Sequence, residues 1–381
     1  MDIEKLIDQG NTFREKNQPL DALKCYATAF VENPDSVAAF NNYGNVLREC
    51  GQPARAIPFL QAACAMAPHF TTAQFNLAVA YLIMGDYQRG WAQYEHRWNY
   101  EHLAGLLPGF EQPRWTGQDI RNKTVLILGE QGHGDNLQFI RFILNIIGLG
   151  AKVILQIAEP LIPLVGEADN LKVISPTQTP EDFDYWVPIM SIPGVLGVTL
   201  DNLDSKIQYI YPNTQGAAAW GKRLGFKKRL RVGFCWSGRR DTWINRHKGM
   251  PFETMVSLIN RNPNYEWVNL QTDCTEEEGK VLADAGVTCF PGDISNFLDT
   301  ANLMQHLDVV LSVDTAVAHL AGAMGRPTWV MLNWFGLDWR WLLDRNDSPW
   351  YPSARLFRQP SMGDWQSVID KIHNNLSLFK I

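Results

Sequence analysis

Shifting the first hundred residues by 34 positions lays like upon like: Gly10 falls on Gly44, Ala22 on Ala56, Ala29 on Ala63, Pro34 on Pro68, and Tyr26 on Leu60. A weaker third copy keeps the register, with Tyr43 on Leu77, Gly44 on Ala78, Leu47 on Tyr81 and Leu60 on Tyr94. A period of this length admits few folds, because each copy is one supersecondary unit that buries its apolar face only against the next. Small residues mark the touching points of two helices, large ones fill the groove, and a proline closes each copy. Residues 1–105 are therefore expected to form stacked helical hairpins.

The period and the small/large/proline pattern resemble the tetratricopeptide repeat (TPR). The first copy carries Gln9 where that family usually has leucine, which implies an outer helix acting as a solvated cap. An array of this kind has no pocket chemistry of its own. Two uses stand open: docking a protein acceptor or partner, or bracing the rest of the chain and joining it to a second copy as a homo-oligomer.

Charge narrows the partners. Lys+Arg against Asp+Glu is 8 to 11 over residues 1–105 and 26 to 29 over the remainder, so no basic half points to nucleic acid. The six cysteines (Cys25, Cys50, Cys64, Cys235, Cys274 and Cys289) form no CxxC pair, and several sit in apolar runs. Buried thiols in a reducing compartment fit this better than a disulfide frame or a zinc site. The start MDIEKLIDQG lacks the blocks of a signal peptide, and no apolar stretch approaches the ~20 residues of a membrane span. A cytoplasmic location is expected.

After Pro108 and Pro113 the pattern changes. TVLILG at 124–129 is a continuous apolar run, as in a strand buried on both faces. A glycine-rich turn follows, then a helical run with Leu137, Ile140, Arg141, Leu144 and Ile147 on one face, and further strands at AKVILQIA, LKVIS and DYWVPIM. Strand and helix in alternation predict a parallel, Rossmann-like first lobe over 106–225. The turn Gly129-Glu130-Gln131-Gly132-His133-Gly134-Asp135 runs GxxGxG rather than GxGxxG, which weakens a dinucleotide site and an NAD-dependent oxidoreductase. Gly132 and Gly134 are expected to let the backbone turn tightly and place Asp135 at a helix start facing the crevice. There Asp135 serves as a general base or merely caps the helix. DFD at 182–184 precedes a strand, where polar residues are ordinary turn chemistry, so no metal site is expected.

Residues 226–381 predict a second such lobe. A basic stretch from Lys222 to Arg231, expected as a solvated linker, leads to RVGFCWSG, and strands recur at YEWVNLQ, GVTCF, DVVLSVD and PTWVML. The most informative segment is Leu311 to Gly322, where an apolar strand runs directly into a helix expected to begin near Asp314. The unpaired amides of Thr315, Ala316, Val317 and Ala318 would then form an anion site, with His319 one turn in. Arg239, Arg240, Arg246 and Lys248 crowd a loop past a strand end, where a pyrophosphate needs cations. Gln271, closing YEWVNLQ, is grouped with the donor-binding residues. For the aromatic tail from Trp334 to Trp341 and at Trp350-Tyr351, base or sugar stacking and interface packing stand as equal readings.

VDTAVAHLAGAMGRPTWVML resembles the DTxxxHLAxAxGxP signature of heptosyltransferase-type, bacterial glycosyltransferases (family 9). The turn Gly132-His133-Gly134-Asp135 matches their GxGD motif, and Lys248, three residues before Pro251, matches their phosphate-contacting lysine. TPRs joined to such a half also resemble the architecture of protein O-GlcNAc transferase. The resemblance implies a TPR domain followed by a GT-B fold, two Rossmann-like lobes with a cleft between them. It implies an inverting, metal-independent glycosyltransferase with a nucleotide-sugar donor and no cofactor. Asp135 would be the base, Lys248 the diphosphate ligand, and Asp314 to His319 the donor turn; Arg246, from the same loop, is grouped with them on its charge. The acceptor, protein or glycan, cannot be carried over, since the TPR front and aromatic tail depart from family 9. The rival expectation is an interaction scaffold whose GT-B half is silent.

Overall fold

The computed structural model describes residues 2–99, 107–204, 208–238 and 248–379. It divides into two compact units: Met1–Phe110 with Gly197–Leu203 and Trp334–Arg345, and Glu111–Leu196 with Asp204–Asn333 and Asn346–Ile381.

The first unit holds six helices in antiparallel pairs: α1 (Ile3–Glu15), α2 (Pro19–Glu32), α3 (Val37–Glu49), α4 (Pro53–Met66), α5 (Thr71–Ile83) and α6 (Tyr87–Tyr94). Their ends follow from the residues there. Asp2, Ser36 and Asp86 accept amide hydrogen bonds at the starts of α1, α3 and α6, and Pro19 and Pro53 open α2 and α4, where no amide partner is needed. The first helix of each pair ends in a left-handed residue, Asn17, Gly51 and Gly85, spaced by the same repeat period. At the crossings, a Cβ on Gly10 would meet Tyr26 Cε1 at 2.5 Å, and one on Gly44 would meet Leu60 Cγ at 2.8 Å. Ala22, Ala56 and Gly90 form the matching row on the second helices, all buried. The expected cap is present in α1, whose only buried residue is Gly10. Glu49, itself buried, takes a two-pronged contact from Arg14 (2.7 and 2.5 Å) and links the first hairpin to the second.

Most of the aromatic tail belongs to this unit. Trp339 and Trp341 are buried, and Trp339 meets Trp91 edge-on with ring centroids 5.3 Å apart. Trp91 Nε1 donates to Val198 O (3.0 Å), and Gly336 N donates to Glu49 O (2.9 Å). Of the two readings of the tail, Trp339 and Trp341 take packing, with their faces spent on protein.

The second unit contains two parallel sheets. One has the order β3-β2-β1-β4, from β1 (Thr124–Leu128), β2 (Lys152–Gln156), β3 (Leu171–Ile174) and β4 (Tyr185–Pro188). The other has the order β6-β5-β7-β8-β9, from β5 (Arg231–Cys235), β6 (Glu266–Asn269), β7 (Val309–Val313), β8 (Thr328–Leu332) and β9 (Ala354–Arg358). Every residue of β5, β7 and β8 is buried, as continuous apolar runs require when helices cover both faces. The strand order reverses at β1/β4 and at β5/β7, and ligands of such sheets bind outside the carboxyl ends of the strands at these switch points.

Three local readings change. GVTCF makes only a single bridge, Thr288 to Val268, whereas β9 is a true strand. The basic stretch is only partly solvated: Lys227 pairs with Asp308 (2.7 Å), and buried Arg231 pairs with Glu266 (2.8 Å). The 3-10 turn Ile140–Phe142 interrupts the helical run, so Leu137, Ile140, Ile143 and Ile146 are buried while Leu144 is exposed. The final helix, Trp365–Leu378, packs Val368, Ile369, Ile372 and Leu376 into the core of the second sheet.

Replacing Gly44 by valine should therefore destabilise the repeat unit by about 1–3 kcal/mol through overpacking. Gly279→Ala, in an exposed helix with nothing within 4 Å of the new methyl, should leave stability unchanged or raise it by ~0.5–1 kcal/mol. Chemical denaturation of the two variants beside the parent chain measures both.

Candidate active site

The site is built at the carboxyl ends of β1 and β7. Past β1 the chain bends through Gln131, whose backbone is left-handed (φ 59), and enters the helix His133–Phe139 with Gly132 as its extended cap (φ −89, ψ 167). Asn136 Nδ2 braces the bend by donating to Glu130 O (3.1 Å) and Gly132 O (2.8 Å), and Glu130 Oε1 takes the Met190 amide just past β4 (3.0 Å). The glycines do something other than the turning expected of them. A Cβ on Gly129 would meet Ile157 Cγ2 at 2.9 Å, and one on Gly134 would meet His319 Cδ2 at 2.8 Å and the Ala316 Cα at 3.4 Å. Gly129 and Gly134 leave room for close approach, and Gly134 sits at one of the places where the two lobes touch.

Asp135 is half-buried in the first turn, and its Oδ2 accepts from Gly132 N (2.8 Å). It is the third residue of the helix, and this bond to the amide of the cap residue Gly132 is a capping contact, so the capping alternative describes one of its uses. His133 meets Phe297 edge-on at 5.2 Å between centroids.

On the opposite side, β7 delivers Asp314, and the helix Ala316–Ala323 starts two residues later than its expected origin, with Thr315 as cap. The four expected amides divide. Val317 N is taken by Thr315 Oγ1 (3.3 Å), and Ala318 N by Thr315 O (3.0 Å) in a buried position. Thr315 N and Ala316 N have no hydrogen-bond acceptor among the described residues, and both residues are only half-buried. The four amides expected of an anion site thus narrow to two, because the cap and the first tight turn consume the others.

Asp314 is buried and ion-paired with Lys248, whose Nζ lies 2.5 Å from Oδ2. Its Oδ1 stands 3.8 Å from His319 Nε2, and His319 Nδ1 shares a 2.8 Å hydrogen bond with the Tyr351 hydroxyl. Asp314 is therefore the counter-ion that holds Lys248 beside the helix start, not a ligand facing a phosphate of the same sign. Gln271 is also buried. Its Oε1 takes Ser237 N (3.1 Å) and the Cys235 thiol (3.1 Å), and its amide donates to Asp273, so it supports the turn after β5. Arg246, like Arg239 and Arg240, lies outside the described residues. Asp184 of the DFD run bonds Lys123 Nζ (2.9 Å) and Thr124 N (2.8 Å), a structural use. Among the described residues no group of three His, Cys, Asp or Glu is placed to hold a metal, and no helix is long and apolar enough to cross a membrane.

Two members of the site escaped the sequence reading. Tyr351 was placed with the aromatic tail, but it buttresses His319. Arg141 was noted only as part of a helical face; it is buried beneath Tyr351. An arginine among apolar residues at the period of a buried face was the available signal.

Two parallel sheets whose switch points come together at a glycine define a two-lobed GT-B fold, which follows a helical repeat array in the sequence. Residues 7–69 match the tetratricopeptide repeat family. The chain is similar over 99% of its length to Protein FlbA of Caulobacter vibrioides, at 25% identity and over 73% of that protein. Its fold is similar to that of the family 9 glycosyl transferase from Veillonella parvula (TM-score 0.50, 12% identity), which covers 70% of this chain and 92% of the other. The ADP-heptose lps heptosyltransferase II of E. coli gives a TM-score of 0.49 at 13% identity, over 67% of this chain and 98% of that one.

Burial pushes the Cys235 thiol up to about 12, only partly offset by hydrogen bonds from neighbours such as Thr315. In native protein at pH 8 it should resist alkylation, and it should react once the chain is unfolded; peptide mass mapping of alkylated samples checks this. Because the folded value lies above the unfolded one, near 9, this thiol's contribution to stability is complete below pH 9 and is lost as the pH climbs toward 12.

Proposed function

We propose that the chain is an inverting glycosyltransferase that moves a sugar from a nucleotide-sugar donor to an acceptor hydroxyl. The observation that carries this is the contact at Gly134, which brings the Asp135 turn against the helix start at Ala316. In this reading the Asp135 carboxylate serves one side of the donor, and two open amides with a held lysine serve the other. This is what a displacement at an anomeric carbon needs. Asp135 takes the proton of the acceptor hydroxyl as its oxygen attacks, the bond to the diphosphate breaks, and both electrons of that bond leave with the diphosphate. Its growing negative charge is met by the Thr315 and Ala316 amides at the positive end of the helix, and by Lys248. These groups already point where the charge appears, so little reorganisation is needed during the reaction.

In this proposal the leaving charge is carried by the chain's own groups and no metal is required. The repeat array supplies the docking surface for the acceptor, a protein in the first instance; the likeness to TPR arrays supports a peptide-sized partner without naming one.

Asp135→Asn should keep donor binding while lowering turnover by about 10²–10⁴-fold. Wild-type turnover in that variant would remove Asp135 from the mechanism. EDTA should leave the wild-type rate unchanged. A thermal-shift series with UDP-, GDP- and ADP-sugars should show stabilisation by at least one donor; none would favour a silent scaffold instead.

A further inference from the structure

The seam between the two lobes is joined on both flanks of β7. On one flank the first lobe offers Phe139, which ends the helix His133–Phe139, and Arg141 and Phe142 in the 3-10 turn that follows. All three meet one ring of the second lobe. Trp350 lies 5.9 Å from Phe139 and 6.4 Å from Phe142 between ring centroids, and the Arg141 guanidinium stands 5.2 Å from its centroid. Phe139 and Trp350 are fully enclosed, and Phe142 and Arg141 are 4% exposed, so side chains of both lobes share one core here.

Tyr209 crosses the same seam. It lies in the segment that joins the lobes, and its amide donates to Ala323 O (2.9 Å) at the end of the second-lobe helix Ala316–Ala323. Its hydroxyl donates to Leu137 O (3.1 Å) in the first-lobe helix and accepts from Arg141 Nη2 (3.1 Å). One residue is thereby bonded to a helix of each lobe.

The other flank is built from different residues. The helix Phe297–Met304, which leads into β7, runs beside the first lobe's turn Glu159–Leu161 and helix Ile162–Val165. Leu161 and Leu164 in the first lobe are buried, as are Ala301 and Met304 in the second. Phe297 takes the His133 ring edge-on. A hinge needs a free edge. Swinging the lobes about either flank would pull the other apart and put its apolar side chains in water, and lobes joined by buried apolar surface do not move separately.

We propose that the two lobes are clasped into one body before any ligand binds, with Trp350 and Tyr209 as positioning residues that hold the clasp. Entry of a ligand then needs no closing of one lobe on the other. For the reaction proposed above, the Asp135 turn is seated against the donor helix from the start. That consequence rests on the glycosyltransferase reading; the clasp itself does not.

The test is the distance between the lobes, read by double electron–electron resonance on the full-length chain. Spin labels are carried by p-acetylphenylalanine at exposed Leu144 in the first lobe and exposed Val281 in the second, which leaves the six cysteines untouched. The ligand-free chain should give one narrow population. Millimolar UDP, GDP or ADP should move its mean by less than about 2 Å, the scale above which a rearrangement is counted. Trp350→Ala should broaden the population toward longer distances. Tyr209→Phe, which keeps the ring and loses the bond to Leu137, should do the same and serves if Trp350→Ala does not fold. A second or broad population in the ligand-free wild type overturns the proposal, as does a larger shift with any of the three nucleotides. So does a distribution that stays unchanged in the folded variants. A narrow ligand-free population in a chain that no donor stabilises would sink the proposed function and leave the clasp standing.

Discussion

The site depends on the missing side chain at Gly134. With a Cβ there, His319 Cδ2 would be 2.8 Å away, closer than carbon atoms pack, and the Ala316 backbone 3.4 Å away, at the near edge of ordinary contact. The His319 ring or the first turn itself would then have to shift. The bend that precedes it, with Gln131 left-handed and Asn136 tying down two carbonyls, delivers the glycine to that place. Asp135 follows by one residue. Its distance from the open amides is therefore set by backbone contact between two rigid elements rather than by a loop.

Charge in the site is arranged in pairs. Asp314 is buried, and an unpaired carboxylate there would be strongly destabilising, by about 3–5 kcal/mol on loss of its partner. Lys248 removes that cost and is held at 2.5 Å in return. On the proposed reading, the lysine is thus already oriented for a diphosphate. In the proposed chemistry, the anion is left the pair of amides at Thr315 and Ala316 together with the rest of the lysine's donor capacity. Beneath this lies the chain Asp314, His319, Tyr351 and Arg141, which ties the donor turn to the first lobe's own buried 3-10 turn.

The repeat array and the paired sheets were legible because each rests on periodicity: the recurrence of Gly10/Gly44 and Ala22/Ala56 in one case, continuous runs such as TVLIL and VVLSV in the other. β9 escaped because it is an edge strand whose run, ARLFR, is broken by an exposed Arg355. The Asp314–Thr315–His319 cluster was visible as local sequence, but which amides stay open was not, since that depends on the Thr315 hydroxyl and on a helix beginning at Ala316. Two further facts are tertiary. Gly134 serves contact rather than turning, and Arg141 lies under Tyr351; each pairs residues far apart in the chain, which local pattern cannot register.

The most direct measurement is the structure of the chain with a bound nucleoside diphosphate. The account predicts pyrophosphate oxygens about 3 Å from the Thr315 and Ala316 amides, with Lys248 on the same group and the Asp135 carboxylate across the gap. A diphosphate held elsewhere, with those two amides still unoccupied, would contradict it.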